Sequence, residues 1–113
     1  MFKWASQLYI GEKARSHQGV LIREIEEGRL TSKAYILTLP VNEANQLELV
    51  PVKDLFWRSA SARTPLIVGV AEDKKEAMDL FEQIAKETLA ARGDADIKSY
   101  LRDRESVGSR QEG

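Results

Sequence analysis

Apolar residues run together over Leu66–Val70 and then recur at the three-and-four spacing of a helix. The first run offers no polar side to water, so it reads as a strand buried on both faces. Asp73 follows as an N-cap, and Glu76 stands three residues later, as in a capping box. Ala77, Phe81, Ile84, Ala85 and Thr88 or Leu89 then form the apolar stripe of a helix that reaches about Ala91. Lys86 and Arg92 lie late in it, where cations favour the dipole, and Gly93 is the expected stop.

A second nearly apolar run, 34–40, is rich in β-formers and predicts another strand covered on both faces. Asn42–Asn45 is turn chemistry, and Leu47–Val52 returns antiparallel, with Pro51 at a sheet edge or strand end because it lacks an amide donor. In 12–27, Ala14, Gln18, Leu21, Ile22 and Ile25 carry helical spacing, and Gly28 sits just past the end. Gly19 weakens that helix by about 1 kcal/mol relative to Ala, so a strand over Val20–Ile25 competes with it. Residues 2–10 read as a short strand or irregular arm punctuated by Gly11. Lys53–Trp57 suits a short helical turn and 59–64 a small polar loop. Residues 94–104 carry a shorter helix, capped by Asp94, with Ile97, Tyr100 and Leu101 on one face.

These elements predict an α/β fold in a two-layer α+β arrangement. A three-stranded mixed sheet, open to extension by the N-terminal arm, holds the hairpin 34–40 with 47–52, and the strand at 66–70 lies beside 34–40. Helices 12–27 and 74–91 cover one face, and the short C-terminal helix packs at an edge. The expected organisation is one compact domain over 1–105 and a disordered polar tail over 106–113.

Composition narrows the chemistry. A chain of 113 residues suits one core, burying roughly 65% of its unfolded surface. The net charge of −1 supplies no global field for nucleic acid. Locally, residues 1–33 hold six Lys/Arg against four Glu, and 72–93 hold four against six Asp/Glu, which a solvated surface explains. With no cysteine there is no disulfide, thiolate zinc site or Cys nucleophile, and one histidine excludes a multi-histidine metal site within one chain. The N-terminus lacks a signal-peptide h-region, and no stretch approaches the ~18 apolar residues of a membrane span. A cytoplasmic chain without a cofactor or bound metal is the expectation.

The candidate binding residues are Trp57, Arg58, Arg63, His17 and Arg15. Phe56-Trp57-Arg58 followed by Arg63 mixes rings and cations as single-strand binders do, although a Phe/Trp pair folded onto the core explains it more simply. His17 sits among Glu12, Lys13, Arg15 and Ser16, with no orienting carboxylate evident in sequence. The Gly69–Asp73 turn joins a strand to a helix N-terminus, a place that binds anions. Here, however, Glu72 and Asp73 occupy it, and neither a GxGxxG nor a GxxxxGK[ST] pattern occurs. The carboxylates Glu72, Asp73, Glu76, Asp79 and Glu82 read as a solvated helix face rather than a cation site.

The segments Leu8-Tyr9-Ile10-Gly11-Glu12-Lys13, Tyr35–Pro40 with Leu47–Val50, and Ile67–Ala71 with Glu76–Leu80 give the chain a resemblance over about residues 8–90. It resembles a family of small uncharacterised proteins of clostridia and related Firmicutes. The resemblance implies a bacterial intracellular origin and carries over no functional residue. Three functions stay open. The first is a non-enzymatic protein-interaction or regulatory domain acting as a homo-oligomer. The second is a small-ligand or nucleotide-binding domain, using the Gly69–Asp73 turn or a pocket lined by Arg15, His17 and Arg58. The third is a small hydrolase using His17 or a metal on the acidic helix.

Overall fold

A computed structural model describes residues 3–28, 33–39, 46–54 and 66–112, with the backbone alone at 107–112. Its elements are β1 (Lys3–Ile10), α1 (Glu12–Arg15), α2 (Gln18–Glu26), β2 (Tyr35–Leu39), β3 (Glu48–Pro51), β4 (Leu66–Ala71), α3 (Lys74–Arg92) and α4 (Ile97–Glu112). They make a mixed α+β fold around one four-stranded sheet of order β1-β4-β2-β3. β4 runs parallel to β1 and antiparallel to β2, and β2 runs antiparallel to β3. The sheet therefore has four strands, not the three expected. The fourth is the N-terminal arm, whose Trp4, Leu8 and Ile10 pack on one face while Ala5 and Tyr9 pack on the other.

The expected placement of both main helices on one face is overturned. On one side of the sheet, Ala14 of α1 and Leu21 and Ile25 of α2 join Ile36, Val50, Ile67 and Val70. On the other, Ala77, Leu80 and Ile84 of α3 and Ile97 and Leu101 of α4 join Tyr9, Leu37, Leu39, Val68 and Ala71. Successive side chains of a strand point to opposite faces. Ile36 and Leu37, both fully buried, thus need a helical layer on each side. The continuous apolar runs of β2 and β4 are the sequence record of that arrangement.

β4 carries a bulge. Leu37 lies opposite Gly69 and Thr38 opposite Ile67, which leaves Val68 as the extra residue. A Cβ at Gly69 would come within 3.3 Å of both the Leu37 side chain and the Tyr9 carbonyl oxygen. The crowding here comes from the two neighbouring strands rather than from a helix.

The helix expected over 12–27 is broken in two, and residues 19–25 are helical. The Ser16 hydroxyl donates to the Lys13 carbonyl at 3.0 Å, and the His17 amide donates to the Ala14 carbonyl at 3.1 Å. These two bonds close α1, and His17 leaves the helical region at φ −141° before α2 begins. α3 follows the pattern more closely. Asp73 caps it by accepting from the Glu76 amide at 2.9 Å, and Gly93 ends it with φ +78°. Thr88 rather than Leu89 completes its core stripe, because the Thr88 hydroxyl is satisfied by the Ile84 carbonyl at 2.8 Å. α4 starts later than expected and is capped by Asp96, whose two oxygens accept from the amide and hydroxyl of Ser99, rather than by Asp94. Its backbone stays helical to Glu112.

β1, α3 and α4 are held together by one carboxylate. Glu87 accepts from the Tyr9 hydroxyl at 2.5 Å, the Tyr100 hydroxyl at 3.2 Å and the Gln83 amide at 3.0 Å. Arg104 lies over the Tyr9 ring, 4.4 Å from its centroid. Burial, then the bond to Glu87, pushes the Tyr9 phenol well above its ordinary range. Burial acts to raise the Glu87 carboxyl, but the hydrogen bonds from Tyr9, Gln83 and Tyr100 and the Arg104 charge outweigh it, so its pKa is lowered. A carboxylate held down in this way stabilises the fold fully above the ordinary Glu value of about 4.3, and that contribution is lost as pH falls through the lower folded value. Thermal melts between pH 7 and pH 3 check this. Glu87→Gln is expected to melt lower than the parent at pH 7 and to lose less on acidification; parallel curves would refute it.

Candidate functional site

β1 ends at Ile10, and Gly11 turns the chain into α1 within a single residue. The Gly11 amide still pairs with the Val70 carbonyl of β4 at 2.9 Å, so the turn is pinned to the sheet. The first amides of a helix have no partner within it. Here the Lys13 and Ala14 amides donate to Oε2 and Oε1 of Glu76, at 2.6 and 3.2 Å. The same Oε1 accepts from the Glu72 amide at 2.9 Å. Glu76 is only 7% exposed, and its carboxylate is met by three backbone donors from two distant segments. The capping box is thus only half formed. Asp73 caps α3 as expected, while Glu76 reaches across to α1 instead of back to the Asp73 amide. A Cβ on Gly11 would overlap the Glu76 carboxylate, which makes glycine a packing requirement there.

Above this junction lies an open cleft of about 440 Å³, lined on the α1 side by Lys13 and Arg15 and on the α3 side by Lys75, Asp79 and Gln83. Lys13 reaches Asp73 at 3.5 Å and Lys75 reaches Asp79 at 3.7 Å. The Asp73 carboxyl is held below the usual range, first by the Glu76 amide and then by Lys13. The lining is therefore mixed in charge, and its floor is already a satisfied carboxylate.

Of the residues singled out from sequence, Arg15 borders this cleft. His17 instead stands half-exposed at the start of α2, beside Ser16 and Glu72. Its Nδ1 is 3.2 Å from the Ser16 hydroxyl and its Nε2 is 3.8 Å from a Glu72 oxygen. That sequence of groups has the composition of a nucleophile, a base and an orienting acid, but not the geometry. A hydroxyl has one proton, and the Lys13 carbonyl at 3.0 Å competes with His17 for that of Ser16. The carboxylate lies beyond hydrogen-bond distance. Trp57, Arg58 and Arg63, together with the turn at Asn42–Asn45 and the loop at 59–64, lie outside the described residues. Arg15 lines the cleft and His17 does not, and Arg58, the third residue of the expected pocket, lies outside the described residues. Among the described residues no three of His, Asp and Glu are grouped to hold a metal ion. Asp79 and Glu82 pair instead with Lys75 and Lys86 along α3.

Among the described residues, two of the exposed large apolar side chains stand on α3. Met78 is 55% and Leu89 59% exposed, with half-buried Phe81 and Ala85 between them. This second stripe adjoins the core stripe and was hidden in sequence, because Phe81 and Ala85 read as part of the core and Leu89 as an alternative to Thr88. Trp4, whose ring adds large apolar area near the terminus, is half-buried and donates its indole N–H to Glu26.

No protein-family model matches the chain, and no curated protein or solved structure is significantly similar to it. No helix among the described residues is long and apolar enough to cross a membrane.

The junction makes a direct prediction. Glu76→Gln replaces one accepting oxygen by a donor facing backbone donors, and is expected to cost about 1–3 kcal/mol. Gly11→Ala is expected to be at least as damaging through overlap. Urea unfolding of the two variants checks this, and a loss below about 0.5 kcal/mol in both would show that the junction is dispensable.

Proposed function

We propose that this chain is a non-enzymatic protein-interaction domain that acts as a homo-oligomer. The observation that carries this reading is the stripe Met78–Phe81–Ala85–Leu89 on the longest helix of the described residues, whose ends Met78 and Leu89 face solvent while Phe81 and Ala85 are half-buried against the core. Single exposed apolar residues are ordinary. A row of four along one helix face, continuous with the core and flanked by ion pairs, has the make-up of a contact surface with a polar rim. The setting proposed for it is the bacterial cytoplasm, on the strength of the clostridial resemblance.

Light scattering coupled to size-exclusion chromatography tests the reading. The parent is expected to pass from monomer toward dimer as concentration rises. Met78→Glu and Leu89→Glu are each expected to hold it monomeric while shifting stability by no more than about 0.5 kcal/mol, as for a surface change. A parent that stays monomeric at every concentration would overturn the reading.

The cleft between α1 and α3 favours a second reading, a small charged ligand bound beside Arg15 and Lys75. Nucleotide binding at the strand-to-helix turns is disfavoured, because one turn is filled by Glu76 and the other by Asp73. Thermal shifts across a panel of zwitterionic and anionic metabolites test this reading. A response abolished by Arg15→Ala would support it, and a flat panel would end it.

A further inference from the structure

Resting on the self-association just proposed, we infer its geometry: two copies of α3 pack antiparallel about a twofold axis that passes near residues 83 and 84. The inference starts from helical arithmetic. At about 3.6 residues per turn, Met78, Phe81, Ala85 and Leu89 fall within roughly 80° of arc. Met78 and Leu89 are the two ends of the stripe, and their midpoint lies between 83 and 84. An antiparallel copy centred there sets Met78 of one protomer against Leu89 of the other, twice over. Ala85, beside the axis, has a side chain small enough to let the two backbones approach closely.

Charge gives an independent reason for the same centre. Glu82 and Lys86 form an ion pair at 2.9 Å along the outer flank of the stripe, both side chains exposed. Their midpoint is residue 84, next to the apolar midpoint. A twofold axis perpendicular to the two helices keeps this flank on the same side of both copies. Each Glu82 then lies level with the other protomer's Lys86. A parallel twofold would turn the two Glu82–Lys86 flanks to opposite sides of the contact, so that neither could meet the other protomer's pair. The patch is thus self-complementary in the sense an isologous dimer requires. The apolar contact extends over roughly 16 Å of helix, short against a standard interface, so the association is weak and dependent on concentration.

The absence of cysteine makes the test direct. Ala85→Cys, next to the axis, is expected to give a covalent dimer on mild oxidation. Val20→Cys, an exposed position on α2 across the sheet, is expected to give none at the same protein concentration. Glu82→Lys is expected to weaken the dimer at least threefold, and Glu82→Lys combined with Lys86→Glu to restore it. Suppose the parent is a dimer by light scattering, but the Ala85→Cys variant does not cross-link or the charge swap does not restore the dimer. That outcome would overturn the twofold geometry and leave self-association standing. A parent that is monomeric throughout would overturn both.

Discussion

Glu76 sets a buried carboxylate against three backbone N–H groups drawn from two separate strand-to-helix turns. A buried carboxylate is costly unless it is hydrogen-bonded, and charge-assisted bonds to backbone amides are among the strongest available. The donors belong to α1 and to the turn before α3, and Glu76 itself stands 63 residues from Lys13 in sequence. One side chain therefore fixes where the chain leaves β1 and where it leaves β4, the parallel pair of the sheet. Gly11 is the geometric counterpart of that carboxylate, since a larger residue would fill its place.

The same economy runs through the polar chemistry of the described residues. Asp73 caps α3, Asp96 caps α4, and Glu87 gathers two tyrosines and a glutamine. Ser16 closes α1 through the Lys13 carbonyl, which competes with His17 for its hydroxyl proton. Groups that would attract attention as catalytic candidates are engaged in joining helices to strands. Among the described residues, Met78 and Leu89 of α3 stay exposed, and the functional proposal is built on them.

Much of the fold was legible in sequence because local and global signals agreed. The β4–Asp73–α3 unit, the β2–β3 hairpin, the adjacency of β4 and β2, and the left-handed glycines at 28 and 93 all follow from spacing and turn chemistry. The layering was legible too, but in conflict with itself. Strands apolar on both faces imply a cover on each side, and the two-layer arrangement set that implication aside. What sequence could not carry was side-chain reach. Glu76 at a capping-box spacing gives no sign that it will turn away to Lys13 and Ala14. The break at Ser16–His17 likewise depends on two bonds to backbone carbonyls that compete with a continuous helix. The exposed stripe was masked by its neighbour, because a helix with two adjoining apolar rows reads as a helix with one broad core face.

The clasp between β1 and α4 has a consequence for how the protein is made. Ser6 donates its amide and hydroxyl to Glu105, 99 residues further on, and Arg104 donates to Gln7. Lys3 and Trp4, for their part, pair with Leu66 and Ile67. On a ribosome the first strand emerges long before any of these partners exists; α1 and α2 supply early cover for Trp4, Leu8 and Ile10, but Tyr9 and the backbone edge that pairs with β4 stay in water until more than half the chain has followed. Closure over such separations is slow relative to local pairing. The interval between synthesis of β1 and arrival of α4 is therefore when a nascent chain of this protein has the greatest need of a chaperone that holds extended apolar segments.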